Sequence, residues 1–373
     1  MGIYESLGVR RVINSDARLT RLGGSKMPDV VLDAMREAAD RYVDMHELQT
    51  AVGQRLAKLT NNDAAYATTG AAAGIVLATL ASLNGGDLRQ IARGLEGHLP
   101  ERRRVLIQRA HRIPYDVVVR LAGAEIVEIG NALQTFDWEL EGALNDSVAM
   151  VLWVAGAHLQ RGALPLRETV AIARRHGVPV VVDAAAQLPP VESLWHFTRD
   201  QGADAAIFSG GKELRGPQAS GMVVGKAEFL AAIAANGSPN QRLGRPMKVG
   251  KEEMIGLLAA VERYLQLDHA AALATLEAGV GRWVERFANR PGVMVEREFP
   301  DEAGQPTPRI RIAFNKRITG LTGPEAQRRL WEDDPRVQVA LGGPDAISLS
   351  LSTLDGDDEE IVANRIAELL PRG

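Results

Sequence analysis

Three short stretches carry residue types that could do chemistry. Ser209-Gly210-Gly211-Lys212 follows the apolar run Ala206-Ile207-Phe208. A lysine that leaves an apolar segment through two glycines sits in a close-packed, partly dry position. Desolvation there lowers its pKa and makes the amine a usable nucleophile or base. Read alone, the same lysine is also compatible with a solvated surface group. Asp183 ends the run Val180-Val181-Val182. A carboxylate at the end of a buried segment is costly unless it meets a cation or strong donors, although a helix N-cap or turn residue has the same signature. Thr68-Thr69-Gly70-Ala71-Ala72-Ala73-Gly74 is built of small residues. Such a stretch lets the backbone approach a ligand, and a helix starting there offers free N–H groups to an anion. Close helix packing would select the same composition.

The elements that must position these residues follow from periodicity. Short apolar runs at 64–69, 105–108, 125–129, 148–154, 178–183, 205–208 and 221–224 read as strands. Amphipathic or apolar spacing at 29–39, 48–59, 75–83, 116–121 and 166–176 reads as helix, with Gly177 where a helix C-terminus wants it. Continuous apolar strands separated by helices indicate an α/β domain with a mostly parallel sheet covered on both faces. Ligands of such sheets bind at the carboxyl ends of the strands, and all three stretches follow a strand. After Gly250 the pattern changes to long helices at 252–267 and 270–287, strands at 309–314 and 347–351, and a closing helix at 359–370. The division expected is a large domain over 1–255, N-terminal segment included, and a smaller α+β C-terminal domain over 256–373. The acidic stretch from Asp355 to Glu360 is expected to supply favourable charge to a helix N-terminus.

Taken together, an anion cradle, a buried carboxylate and an activated lysine are the parts needed to hold pyridoxal 5′-phosphate. The cradle takes the phosphate, the lysine forms an imine with the aldehyde, and the carboxylate keeps the pyridine nitrogen protonated so that the ring accepts electrons. Their order, and the short separation of Asp183 from Lys212, resemble fold type I of the pyridoxal-phosphate enzymes, the aspartate aminotransferase-like fold. The resemblance narrows on further motifs: Arg11-Val12-Ile13-Asn14, Tyr42-Val43-Asp44-Met45 with Glu47-Leu48-Gln49, Thr69 to Ala73, Val181-Val182-Asp183-Ala184-Ala185-Ala186-Gln187-Leu188-Pro189-Pro190, Ser209 to Lys212 and Met247-Lys248-Val249-Gly250-Lys251-Glu252-Glu253. Over residues 10–265 these are similar to the selenocysteine synthase-like family, which includes bacterial seryl-tRNA selenium transferase and D-glucosaminate-6-phosphate ammonia-lyase.

The resemblance implies roles for particular residues. Lys212 would be the Schiff-base lysine and Asp183 the pyridinium partner. Thr69, Gly70 and Ala71 would bind the 5′-phosphate, with Ser209 helping. Ala185 would pack on one ring face and His111 on the other, with a core or surface histidine as the plainer reading of His111. His158, after the 148–154 strand, would reach cofactor or substrate, or stand solvated in its loop. A substrate carboxylate wants the planar fork of an arginine, for which Arg18, Arg21 and Arg311 are candidates alongside an ordinary surface role. The basic stretch Arg242-Leu243-Gly244-Arg245-Pro246-Met247-Lys248 resembles a segment that approaches a neighbouring subunit's cofactor, where a solvated loop is the alternative. A homodimer or larger homo-oligomer follows.

Composition bounds the rest. The 373 residues hold 43 Lys+Arg and 47 Asp+Glu, a net charge of −4, with 46% hydrophobic and 24% charged residues. That is globular rather than disordered composition, without the basic excess of a nucleic-acid binder. The absence of cysteine removes disulfides, thiolate metal sites, iron–sulfur clusters and cysteine nucleophiles, and no metal site is expected. With no secretory signal and no apolar run of membrane-spanning length, a cytoplasmic protein with neither membrane nor nucleic-acid partner is expected. The reaction expected is a lyase reaction: loss of ammonia, by β-elimination, from a small hydroxylated or sugar-derived amino acid to give a 2-oxo acid. Racemisation, aldol cleavage or group transfer within the same family are alternatives. Selenium transfer on seryl-tRNA is disfavoured by the net charge and by the cofactor-domain pattern starting near residue 10. A non-catalytic scaffold is disfavoured because Lys212, Asp183 and the cradle are all present.

Overall fold

The computed structural model describes residues 2–301 and 303–370. The chain divides into two compact units, one of residues 25–266 with 302–304 and one of residues 1–24, 267–301 and 305–373. The boundary expected after residue 255 falls inside a helix, Lys251–Gln266, which stays with the larger unit. The first 24 residues group with the C-terminal segment, because Val12–Asn14 pairs in parallel with Arg336–Gln338.

The larger unit is built on a seven-stranded sheet. Its order is Ala64–Thr68, Gly221–Gly225, Ala205–Ser209, Val180–Asp183, Val148–Val154, Arg104–Gln108, Glu125–Ile129. Gly221–Gly225 alone runs against its neighbours. The reason lies in its connection: residues 210–220 hold no helix, and a parallel crossover needs a dozen or more residues, usually helical. Alternate residues of the strands enter two separate cores. Val151, Val182 and Phe208 pack with Val52, Leu56 and Leu257 from helices Met45–Leu59 and Lys251–Gln266. Leu152, Val181 and Ile207 pack on the other face with Ile75, Leu77 and Ile233 from helices Ala71–Asn84 and Ala227–Asn236. Burial on both faces is why the strands read as unbroken apolar runs. Among the described residues no single helix is long and apolar enough to cross a membrane.

Local chemistry sets the helix ends. Asp44 caps Met45–Leu59 by accepting from the N–H groups of His46 and Glu47, both at 2.9 Å, so this helix starts three residues before its expected bound. Leu166–Arg175 ends at Gly177, whose φ of 63° is the left-handed conformation a C-terminal glycine supplies. The expected helix at 116–121 is instead a 3-10 turn, Pro114–Val117, followed by the short helix Val118–Leu121.

The smaller unit holds a four-stranded antiparallel sheet, ordered Ala340–Gly343, Ala346–Leu349, Arg309–Phe314, Val293–Glu298. Its core joins Trp283 and Phe287 of helix His269–Phe287 to Ile310, Ile312, Leu349 and Ile366. Asp358, Glu359 and Glu360 occupy the first turn of Asp358–Leu369, where negative charge complements the helix N-terminus. Asp358 is also paired with Arg11 at 2.5 Å.

Candidate active site

Gly70 sits between the strand Ala64–Thr68 and the helix Ala71–Asn84, with φ 140° and ψ 167°. Only glycine takes that conformation cheaply, and it lets the chain turn from strand to helix within two residues. The Gly74 N–H bonds the Gly70 carbonyl at 3.0 Å. The N–H groups of Ala71, Ala72 and Ala73 therefore precede the helical ladder and point out of the helix N-terminus. The helix also lies tight on the sheet, since a Cβ at Gly74 would fall 2.8 Å from Ile207 Cγ2. Cradle and close packing coexist here, at different residues of the same stretch.

Gly221 ties this cradle to the lysine strand. It stands opposite both Thr68 and Ser209 in the sheet register. A Cβ on it would lie 2.8 Å from the Gly70 carbonyl carbon, 3.0 Å from the Ala71 nitrogen and 2.9 Å from the Phe208 oxygen. Gly221 was legible only as the start of a strand; its packing role depends on a pairing partner 150 residues away, which no local pattern reveals.

After Ser209 the chain folds back on itself. Gly210 N–H donates to the Ser220 carbonyl at 2.9 Å, Gly216 N–H to the Gly210 carbonyl at 2.8 Å and Arg215 N–H to the Lys212 carbonyl at 3.0 Å. A Cβ at Gly210 would collide with Ser220 Oγ and one at Gly211 would lie 2.7 Å from Gln218 Cα. The two glycines are therefore required by the route that delivers Lys212. Asp183 ends its strand opposite Ile207 and Val154. Its Oδ1 accepts from Ala185 N–H at 3.1 Å, and Ala184 N–H donates to the Ile207 carbonyl at 3.0 Å.

The electrostatics of this pair are dominated by dryness. Burial pushes the Asp183 carboxyl above the ordinary carboxylate range, opposed by the Ala185 N–H and the charge of Lys212. Burial likewise lowers the Lys212 amine below the ordinary lysine range, opposed by the charge of Asp183. Each therefore supports the other's charged form while the surroundings disfavour both. Thr69, Gly70, Ala71, Ala185, Ser209 and Lys212 are all half-buried. The loops that carry them leave the same end of the sheet, the end at which the buried Asp183 stands.

His111 is placed differently from the expectation. It follows the strand Arg104–Gln108 in a 3-10 turn and is fully buried. Its ring meets Trp153 edge-on, with centroids 5.0 Å apart, and its Nδ1 accepts from Val154 N–H at 3.4 Å. Gln108, also fully buried, fixes the turn by exchanging two hydrogen bonds with the Leu164 backbone, at 2.6 and 3.2 Å. With no accessible face, His111 as folded cannot stack on a ligand ring. Its Nε2 is buried without a hydrogen-bond partner among the described residues, and burial lowers its pKa to about 4. A histidine kept neutral in the fold contributes stability above its unfolded value of 6.5 that is lost as the pH falls toward about 4. The shift corresponds to about 3 kcal/mol. His111→Phe is expected to flatten the fall in melting temperature between about pH 7.5 and about pH 4.5 relative to the unsubstituted protein. Equal falls in the two proteins would remove His111 as the source.

The remaining candidates are distributed. His158 is exposed in the turn Ala157–Leu159 after the strand Val148–Val154, its ring lying over Gly156. The basic stretch from Arg242 folds against helix Ala227–Asn236, with Arg242 bonded to the Ala235 carbonyl and Gly244 N–H to the Asn236 carbonyl at 3.2 Å. Arg18, Arg21 and Arg311 belong to the smaller unit. There Arg18 donates to the Ser352 carbonyl at 3.1 Å, Arg21 lies over the Trp331 ring at 5.6 Å, and Arg311 faces Glu296 at 2.8 Å and Asp345 at 3.7 Å. Two carboxylates compensate the charge of Arg311, which makes it a poor anchor for a third.

The residues of the larger unit fit pyridoxal phosphate. Three helix N-terminal N–H groups offer donors to an anion, a close-packed glycine seat holds them against the lysine strand, and a depressed amine and a buried carboxyl are electrostatically coupled. Comparison with known proteins agrees. Residues 12–279 match the L-seryl-tRNA selenium transferase family. The chain is 32% identical to D-glucosaminate-6-phosphate ammonia lyase of Salmonella typhimurium, across 88% of this chain and 86% of that one. It is also 32% identical to a Streptomyces 5′-C-glycyluridine monooxygenase-decarboxylase, across 98% and 92%. A solved structure of D-glucosaminate-6-phosphate ammonia-lyase superimposes with a TM-score of 0.87 at 30% identity, covering 99% of this chain and 98% of the other.

Proposed function

The chain belongs to the L-seryl-tRNA selenium transferase family and is a pyridoxal-phosphate-dependent lyase on the type I fold, and from that premise we propose that it removes ammonia from a small hydroxylated or sugar-derived amino acid to give a 2-oxo acid. The observation that carries this reading is the pairing of a desolvated amine, Lys212, with a buried carboxylate, Asp183, beside an anion cradle.

When bound, the cofactor supplies a protonated pyridine ring that accepts the electron pair left at the substrate α-carbon. Ala71 to Ala73 and Thr69 would hold its phosphate, helped by Ser209. Lys212 would hold the aldehyde end through Nζ and, once released by the substrate amine, take the α-proton. Its lowered pKa keeps a fraction of the amine neutral for that task. Asp183 would hold the proton on the ring nitrogen, and its burial keeps competing water away. Loss of the α-proton and the β-hydroxyl removes one water. A water re-enters when the enamine hydrolyses, so the net change is release of ammonia. We assign contact with the substrate to His158, and to His111 the fixing of the Val154 end of its strand.

The test is a substrate panel on the cofactor-loaded enzyme: D-glucosaminate 6-phosphate, D- and L-serine, D- and L-threonine. Equal amounts of 2-oxo acid and ammonia are expected from one of them. The match to the Streptomyces protein over nearly the whole chain favours one other reading, oxidative decarboxylation of an amino acid. Oxygen uptake with carbon dioxide release and no 2-oxo acid would select that reading instead.

A further inference from the structure

A cavity lies at the opposite edge of the sheet from Lys212. It has a volume of about 760 Å³ and is lined by residues at the starts of the parallel strands, Ala149, Pro179 and Asp204, and by Lys226, which follows the antiparallel one. Its wall includes Ala81, Ser82 and Gly85, the far end of the helix whose first turn forms the anion cradle.

The charges along this edge are unequally compensated. Arg103 and Arg104 face Glu125, Arg175 faces Glu141, and Lys226 faces Asp204 at 2.6 Å. Arg102 and Arg174 both line the cavity, and among the described residues neither faces a carboxylate. They are held by backbone instead. Arg102 donates to the carbonyls of Val148 at 2.8 Å and Gly177 at 3.2 Å, and Arg174 to that of Gly202 at 3.2 Å. Carbonyl contacts orient a guanidinium without neutralising it. With Lys226 and Asp204 paired, two exposed guanidinium groups, each bonded to backbone carbonyls, share the lining with a single further carboxylate, Glu228. Guanidiniums oriented by carbonyls and not neutralised match the oxygens of phosphate and carboxylate, and the volume falls in the range of small-molecule sites.

We propose that this cavity is a second ligand site, which takes a small organic oxyanion, a phosphate ester or a polycarboxylate, between Arg102 and Arg174. The site is independent of the reaction assigned above. Its occupant touches the end of the helix Ala71–Asn84 and so contacts the rigid element that carries the cradle.

The test is calorimetric titration of the cofactor-loaded enzyme with ribose 5-phosphate and, separately, with citrate. Saturable binding of one of them is expected, and the two arms distinguish phosphate from carboxylate as the source of the anion. Arg102→Ala and Arg174→Ala are each expected to weaken binding about tenfold or more. Gly86→Trp tests the place without altering charge. Gly86 lines the cavity and a Cβ there meets only Ala235, at 4.0 Å, so the indole fills the space and abolishes binding. Basal turnover should be unchanged in all three variants. Absence of binding to either probe at about 10 mM, well above ordinary metabolite affinities, overturns the proposal. So does binding that survives Gly86→Trp, or affinity unaltered in both arginine variants.

Discussion

Lys212→Ala is expected to lower kcat by about 10⁴-fold, because the proposed mechanism gives one side chain both the covalent hold on the cofactor and the base at the α-carbon. The fold should survive. Lys212 is half-buried and its amine is disfavoured in its charged form, so truncation removes a desolvation cost along with its packing. Borohydride reduction followed by peptide mass mapping checks the assignment independently of turnover. In the unsubstituted enzyme the label belongs on the peptide that contains Lys212, and in the variant no lysine should carry it. A label on another lysine, with turnover retained, would transfer the role elsewhere.

Asp183→Asn should lower kcat by about 10³-fold, the scale on which removal of one preorganised charge acts. Its effect on the cofactor-free protein should have the opposite sign. Burial raises the Asp183 pKa. The stability it contributes is therefore present below the unfolded carboxyl value of 3.8 and lost as the pH rises through the raised value. At neutral pH a buried carboxylate opposes folding, and asparagine removes that opposition. Cofactor-free Asp183→Asn should therefore melt no lower than the unsubstituted protein at about pH 7, and the difference should shrink toward about pH 4. A variant that is both inactive and clearly less stable at neutral pH would mean that Asp183 serves the fold.

Some of this was written plainly in the sequence. The valines before Asp183 and the apolar triplet before Ser209 mark strands buried on both faces, and polar residues that end such strands lie at the sheet's carboxyl edge by construction. The strand-to-helix turn at Gly70 was legible because Gly70 and the alanines after it are small for two separate local reasons. The reversed strand Gly221–Gly225 was not, because strand direction depends on connection length rather than on pattern. The burial of His111 was not legible either. It depends on Trp153 and on the exchange between Gln108 and Leu164, contacts between segments about 40 to 55 residues apart with no common period. The N-terminal segment's place with the smaller unit rests on three parallel pairs across the length of the chain, which composition cannot anticipate.

The reversed strand also has a stereochemical consequence. It separates the strand that ends at the cradle from the strand that ends at Ser209 by two interstrand spacings, about 10 Å, whereas the Asp183 strand lies one spacing further on. The cradle's helix packs on one face of the sheet. The loop that carries Lys212 is supported from the other, where Cβ atoms at Gly210 and Gly216 would meet Leu257 and Ala260. A rod-shaped ligand pinned at both ends across that edge would be unable to roll over, and a loop supported from one face would meet it from that side. Were Lys212 to carry protons to and from such a ligand, as proposed above, it would do so on that one face.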